Sequence, residues 1–193
     1  MSTTTGRPEN ENQLSKGLPG LTHHITGHND AGRAIVHSDN PATWIPLLDN
    51  TMAFDVVYTT SQFPPTMTAN ADLTAHSALL AQKNLGLVNP NGTVARIVDF
   101  GPGSEPVMHR TQSLDYGVVL EGEVEMLLDD GERRVLGRGD VAVQRGTNHG
   151  WRNTSATEWA RMFFVLQAAE KVVVGERVLG EDLGGAGDAG EGH

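Results

Sequence analysis

Two histidines and one aspartate are the residues whose types could do chemistry together in this chain. His109 and Asp115 lie in MHRTQSLDYGVVLEGEVEML, and His149 lies in QRGTNHGWRN. Imidazoles exchange protons near neutral pH, and a carboxylate can orient a proton or hold a cation, so the set suits acid–base catalysis or metal binding. A single histidine is more often an ordinary polar residue, and the hypothesis therefore requires a fold that brings the three together.

The alternation of side chains along a strand decides which of these residues can meet. In extended segments His109 and Thr111 share one face, and His149 and Trp151 share another. If these faces and that of Asp115 all point into one barrel, its interior holds two imidazoles, a carboxylate, a hydroxyl and an indole. Such a set is costly to bury unless it is paired or bound to a metal.

Strand-like segments surround these residues from 94 to about 178. They are rich in valine and are broken by Gly or Asp-Gly: TVARIVDF, YGVVLEG, EVEMLLDDGERRVLG, DVAVQRG, WARMFFVLQ and KVVVGERV. A helix over 118–128 is the alternative, because apolar residues also recur there at helical spacing. The internal glycines and a tight primed turn at Asp130-Gly131 favour strands. Many short antiparallel strands predict an all-β barrel or sandwich.

The flanking regions differ from this block in composition. Residues 1–20 are polar and 179–193 combine glycine with acidic residues, so both are predicted to be flexible tails. Residues 21–93 hold the strand candidates RAIVHS and FDVVYTT, and a short helix in ADLTAHSALLAQKNLG with Asp72 as its N-cap and Gly86 as its stop. These N-terminal strands have no evident partner inside the block. They are predicted to pack on the barrel and to contribute to a homodimer.

Composition and charge argue against several function classes. The chain has 193 residues, 38% of them hydrophobic, and a formal net charge of −10. One domain with a core is expected, without a nucleic-acid partner. No helix-turn-helix pattern or basic patch supports a transcriptional regulator. The chain has no cysteine, which excludes disulfides and thiolate metal sites. No apolar leader or membrane-length apolar run is present, so a cytoplasmic protein without a membrane partner is expected.

The stretch around the first histidine resembles the first motif of the cupin family. In GSEPVMHRTQSLDYGVVLEG, the spacing of Gly103, His109 and Gly122 matches that motif. Asp115 stands where the family has a glutamate, and Thr111 stands where it has a second histidine.

The stretch around the second histidine resembles the second cupin motif. In GDVAVQRGTNHGWRN, the matching residues are Gly146, His149 and Asn153. Gln144 replaces the proline of the motif, and Gly139 is one residue closer than its spacing asks. The hairpin between the two motifs also has the expected length.

The resemblance covers roughly residues 94–168 and implies an antiparallel double-stranded β-helix, the cupin or jelly-roll barrel, here with an N-terminal extension and disordered tails. The chain is similar to small single-domain cupins of polyketide and other secondary-metabolite pathways. That similarity implies a tailoring enzyme acting in the barrel on a carbonyl- or carboxylate-bearing, polyketide-like or aromatic small molecule. The reaction would be that of a decarboxylase or other lyase, or of a metal-dependent oxidoreductase. A ligand-binding cupin with a decayed metal site is the alternative, which Thr111 keeps open.

The resemblance also implies roles for individual residues. Carried over from cupins that hold a metal, His109, Asp115 and His149 are the candidate ligands of iron, manganese or zinc, and the candidate catalytic residues. Without a metal, the two histidines would serve as acid and base. No organic cofactor is expected. The residues predicted to line the substrate site are Thr111, Met126, Trp151 and Phe163, with Thr111 favoured as a packing residue over a ligand.

The remaining candidates are interpreted as structural. Arg110 and Arg161 are expected to be solvated or paired at the barrel rim. The histidines of the N-terminal part show no metal-ligand spacing and are expected at the surface: His23, His24, His28 and His37.

Overall fold

The computed structural model describes residues 7–82 and 85–184, in which β-strands predominate. The strands are β1 (Thr22–His28), β2 (Ala34–Pro41), β3 (Ile45–Leu47), β4 (Met52–Thr60), β5 (Thr93–Phe100), β6 (Ser113–Glu121), β7 (Val124–Leu128), β8 (Arg133–Leu136), β9 (Val141–Arg145), β10 (His149–Asn153), β11 (Ala160–Ala168), β12 (Val172–Val174) and β13 (Arg177–Leu179). A 3-10 turn, Thr68–Asn70, leads into the helix α1, Ala71–Ala81. None of the helices in these ranges is both long and apolar enough to cross a membrane.

Two antiparallel sheets form the barrel. One has six strands in the order β3-β4-β5-β11-β6-β9, and the other has three in the order β10-β7-β8. Their inner faces share one core, because Val124, Leu136 and Trp151 of the small sheet pack with Val119, Met162 and other residues of the large one. The prediction of an all-β antiparallel barrel is confirmed.

The hairpin between β7 and β8 forms where it is predicted, with a different turn. The Gly131 N–H donates to the Leu128 carbonyl at 3.0 Å, and the Leu128 N–H donates to the Glu132 carbonyl at 2.9 Å. Gly131 has a φ of 92°. These bonds define a three-residue loop with a left-handed glycine at its end, whereas the sequence favours a two-residue primed turn.

The helix α1 is also confirmed, with a different start. It begins after Asn70. Asp72 accepts a hydrogen bond from the Tyr58 hydroxyl at 2.7 Å, so it ties the helix to β4 and is not the cap. The helix ends at Ala81, well before Gly86.

The N-terminal strands lie closer to the barrel than the sequence predicts. β4 pairs with β5 from Met52↔Phe100 to Thr60↔Thr93, and β3 pairs with β4. The expectation that the N-terminal strands lack partners inside the barrel is therefore wrong for FDVVYTT, which forms β4. β1 and β2 pair with each other in a separate sheet, and their participation in a homodimer stays a prediction.

Part of the predicted N-terminal tail is packed on the outer face of the large sheet. The Ser15 hydroxyl is fully buried and donates to Asp99. Arg161, only 1% exposed, binds the same carboxylate through Nε at 2.6 Å and Nη2 at 2.7 Å. Its Nη1 donates to the Pro19 carbonyl at 2.8 Å. The rim position expected for Arg161 is wrong, because this side chain points outward from β11 into a layer formed by the N-terminal segment. Residues 1–6 lie outside the described residues.

The predicted C-terminal tail is likewise paired along its described part. Asp182 forms a backbone bridge with Arg110, its N–H donating to the Arg110 carbonyl at 2.9 Å. Residues 185–193 lie outside the described residues.

Candidate functional site

A cavity of about 150 Å³ lies between the two sheets and is called the barrel cavity below. Its wall contains Leu47, Leu48, Met52, Phe54, Leu87, Arg96, Val98, Phe100, Val107, His109, Asp115, His149, Trp151, Phe164 and Leu166. Most of this wall is apolar. The five polar or indole-bearing members include the three residues predicted to be catalytic, so the fold brings all three to one space.

The two histidines are held side by side by the backbone. His109 and His149 exchange backbone N–H···O=C bonds of 2.8 and 2.9 Å, and their ring centroids lie 4.5 Å apart. Nδ1 of His109 lies 2.9 Å from the Val107 carbonyl, and Nδ1 of His149 lies 3.0 Å from the Thr147 carbonyl. A carbonyl oxygen only accepts, so each Nδ1 carries the hydrogen and each Nε2 keeps a lone pair.

Burial keeps both imidazoles neutral. It lowers the pKa of His109, and together with the neighbouring His109 it lowers the pKa of His149 to about 4. Neutral rings with free Nε2 lone pairs are proton acceptors at neutral pH. The pair can therefore act as a base in this cavity.

Asp115 lies in the same cavity and is only 4% exposed. Burial raises the pKa of its carboxyl to about 6, against the opposing effects of the Ser113 and Thr111 hydroxyls and of the Arg96 charge. The Ser113 hydroxyl lies 2.5 Å from Oδ1, and the Thr111 hydroxyl donates to Oδ2 at 3.3 Å. A carboxyl with a pKa near 6 can hold or release a proton close to neutral pH.

Arg96 lies on the cavity wall and is not among the predicted site residues. It is 6% exposed, and its Nη2 donates to the Gly86 and Leu87 carbonyls at 3.0 and 3.2 Å. Its buried Nε has no hydrogen-bond partner among the described residues. Burial lowers the pKa of the guanidinium to about 10, which still leaves it charged at neutral pH. The signal in the sequence is a charged residue in the middle of the apolar strand TVARIVDF.

The comparisons with known proteins show the family of this chain. Residues 96–166 match the Cupin domain family. A cupin-domain-containing oxidoreductase of Neurospora crassa, srdB, is 38% identical over 86% of this chain and 84% of its own length. The chain belongs to the cupin family. Phomopsin biosynthesis cluster protein D of Diaporthe leptostromiformis is 42% identical to this cupin over 89% of the chain and 91% of that protein. Oryzines biosynthesis cluster protein J of Aspergillus oryzae is 40% identical over 88% and 94%.

The predicted substrate-site residues of this cupin are only partly on the cavity wall. Trp151 is there, its ring 5.6 Å from that of His149. Phe163 packs instead with Trp44 and Ile97 on the outer face of the large sheet, and Phe164 takes the place in the barrel cavity. The correction follows from the two-residue alternation of β11.

Thr111 and Met126 do not line the barrel cavity but contact other residues of the barrel interior. Thr111 is buried and donates to Asp115, as described above. Met126 packs against the barrel core, and its sulfur accepts a hydrogen bond from the Gln144 amide at 2.9 Å. The prediction that these two residues line the substrate site therefore differs from the structure.

The predicted metal ligands do not form a complete ligand set in this cupin. In the ranges that the structure describes, no three His, Cys, Asp or Glu side chains are arranged to hold a metal ion. The Ser113 and Thr111 hydroxyls contact the Asp115 carboxylate, and each of its oxygens keeps a further lone pair. Three donors are thus present, but the described side chains do not surround one point as a bound ion requires. The donor set therefore does not fit a metal in this arrangement.

The opposite pKa shifts of His149 and Asp115 predict a pH dependence of stability. The lowered pKa of His149 makes the folded state more stable as pH rises from about 4 to its ordinary 6.5, and the raised pKa of Asp115 makes it less stable from 3.8 to about 6. In the wild type the two effects nearly cancel. The free energy of unfolding of Asp115→Asn, relative to that of the wild type, should therefore rise by about 3 kcal/mol between pH 4 and 6. This rise is the free-energy equivalent of the raised Asp115 pKa. Urea unfolding at stepped pH measures this, and a pH-independent difference would contradict it.

Proposed function

We propose that this cupin is a tailoring enzyme that transfers a proton at the carbon next to a carbonyl, on a small substrate with a ring and an anionic head. The observation that carries the proposal is the pair of neutral imidazoles, each with a free Nε2, in a ring-sized apolar cavity that also holds a buried arginine. The names of the relatives, two biosynthesis cluster proteins and an oxidoreductase, support a role in tailoring.

The size of the barrel cavity supports a substrate unit of one ring. Its volume is about 150 Å³, and an apolar protein cavity of about 150 Å³ is known to take up benzene. Trp151 and Phe164, whose rings lie 5.6 Å apart, supply an aromatic wall for such a ring.

The polar residues of the cavity have separate roles in binding and in proton transfer. Arg96 is the cation that binds a substrate carboxylate or stabilises the enolate oxygen as charge develops there. One imidazole takes the proton from carbon at Nε2. Asp115, with a pKa near 6, can donate a proton to the substrate or take up the proton that the imidazole has removed. The enolate is the intermediate shared with the decarboxylase and other lyase reactions that the resemblance implies, in which loss of CO2 or of a leaving group takes the place of, or follows, removal of the proton.

Deuterium exchange tests the proposal without knowledge of the natural substrate. Phenylpyruvate combines a ring, a carbonyl and a carboxylate, and its methylene protons exchange through the enol. In heavy water we expect the protein to accelerate their loss, followed by proton NMR, and we expect His24→Gln, an exposed control, to behave as wild type. Absence of acceleration for phenylpyruvate and for aryl β-keto acids alike would contradict the proposal.

Oxidoreduction is the second candidate, favoured by the names of relatives such as the oxidoreductase srdB. Elemental analysis and dialysis against EDTA distinguish oxidoreduction from metal-free proton transfer. Under the proton-transfer proposal, the exchange of phenylpyruvate persists after EDTA treatment. Oxidation of a substrate that disappears with a removed metal and returns on its addition would favour the second candidate.

Arg96→Lys tests the role of the buried guanidinium. Lysine keeps the charge but lacks the planar fork that binds a carboxylate in a fixed direction. We expect the KM for phenylpyruvate to rise by at least about tenfold, because a charge-assisted hydrogen bond contributes roughly 1.5–3 kcal/mol. Steady-state exchange rates give KM, with the exposed Arg138→Lys as the control. An unchanged KM would remove Arg96 from the binding site.

A further inference from the structure

A second cavity lies on the opposite side of β4 from the barrel cavity. Its volume is about 570 Å³, and it lies beside β1, β2, β4 and α1; it is called the outer cleft below. Its apolar wall includes Ile25, Leu80 and Leu85, and its polar members include His23, Asp55 and His76. Phe54 lines the barrel cavity and Asp55 the outer cleft, so the two spaces are separated by the sheet.

Asp55 is a buried carboxylate with spare hydrogen-bonding capacity. It is 2% exposed, and the Thr43 N–H donates to its Oδ1 at 2.7 Å. Its Oδ2 lies 2.7 Å from His23 Nε2, close enough for an ion pair. The geometry is not that of a hydrogen bond, and neither atom has another hydrogen-bond partner within the part of the chain that the structure describes. The surface position expected for His23 is therefore wrong, and Oδ2 can still accept from a ligand.

His76 supplies a donor to the same cleft. The Thr59 N–H donates to its Nδ1 at 3.2 Å, which requires an unprotonated Nδ1. In the neutral ring the hydrogen then resides on Nε2. The Tyr58 ring packs on the imidazole with centroids 4.6 Å apart and helps to fix its orientation. The outer cleft thus combines an acceptor on β4 with a donor on α1.

We propose that the outer cleft is a binding site for a small apolar molecule that carries a hydroxyl group, such as an alkylphenol. A hydroxyl both donates and accepts, so it matches the acceptor Asp55 and the donor His76 that line the same cleft. A ligand carboxylate would meet the Asp55 charge, and an ammonium group has no lone pair for His76. The alkyl and ring carbons lie against the apolar wall. This site is independent of the proton-transfer proposal for the barrel cavity.

Titration with para-ethylphenol, followed by the side-chain ¹⁵N NMR signals of the histidines, tests the proposal. We expect the signals of His23 and His76 to move while those of His109 and His149 stay in place. The methyl ether para-ethylanisole keeps the ethylbenzene skeleton and the oxygen but has a methyl group in place of the donor hydrogen. We expect it to bind at least about tenfold more weakly, since it cannot donate to the charged acceptor. Equal binding of the two compounds, or shifts confined to His109 and His149, would overturn the proposal.

Two variants test the site from the protein side. Asp55→Asn removes the charged acceptor, and we expect calorimetry to show at least about tenfold weaker phenol binding. Leu80→Trp fills the cleft from a position on α1 that is 40% exposed, so it tests occupancy without a change in the barrel core. The control is His24→Gln, which removes an exposed histidine paired with Asp39 at 2.6 Å. Wild-type affinity in both Asp55→Asn and Leu80→Trp would overturn the site.

Discussion

Replacing His149 with glutamine is expected to lower the turnover of phenylpyruvate exchange by about 10²–10⁴-fold, the usual contribution of a general acid or base. Glutamine is of similar size and can still donate to the Thr147 carbonyl that now binds Nδ1. It lacks a basic nitrogen, so the proton acceptor is lost while the hydrogen bond is kept. Exchange rates at saturating phenylpyruvate, with thermal unfolding in parallel, measure the effect.

His109→Gln extends this test to the second ring of the pair. The rings are in contact, and either Nε2 can serve as the acceptor. We expect His109→Gln to lower the exchange rate by at least about tenfold, with His37→Gln as an unaffected surface control. If both variants keep most of the wild-type rate and remain folded, the imidazole pair is not the catalytic base.

The largest expected effect on stability is that of Asp99→Asn. This change leaves the Arg161 guanidinium charged, buried and without its carboxylate. Removing one partner of a buried ion pair costs roughly 3–5 kcal/mol. We expect a decrease of that size in the free energy of unfolding, measured by urea denaturation. Glu132→Gln removes the exposed partner of Arg134, which lies 2.9 Å away, and should cost less than about 1 kcal/mol.

A double variant separates the loss of the pair from the cost of an unpaired charge. Asp99→Leu with Arg161→Met removes both charges and replaces them with apolar side chains. Since such replacements of buried pairs are often neutral or stabilising, we expect it to be more stable than Asp99→Asn. A double variant that is less stable than the single one would show that packing around Trp44, whose ring lies 4.9 Å from the guanidinium carbon, contributes more than the charges.

The sequence predicts most of the barrel and the position of its histidines. The motif glycines mark strand ends: Gly122 and Gly146 have φ angles of 75° and 61°, a region that glycine adopts at low cost. His109, Asp115 and His149 are correctly assigned to one space. The choice of Phe163 over Phe164 fails because both faces of β11 are covered. A strand buried on both sides is apolar at successive positions and gives no alternation to read.

The arginines show why the rest of the site could not be predicted. Arg96 and Arg161 are both charges within apolar strands, and their sequences do not distinguish an inward from an outward direction. Arg96 faces the barrel cavity. Arg161 faces a layer that depends on Ser15 and Pro19, more than a hundred residues away in the chain. The composition of residues 1–20 predicts a flexible tail. It contains no signal for the two hydrogen bonds that Arg161 donates to this segment.

The arrangement of Phe54 and Asp55 in β4 restricts how the length of this chain can vary among relatives. These consecutive residues line different cavities, and a one-residue insertion or deletion upstream in the strand would exchange their faces. The carboxylate would then enter the apolar barrel and the phenyl ring would leave it. Length changes should therefore be rare within β4 and common in surface loops such as the one around Gly131, and an alignment of relatives would show this pattern directly.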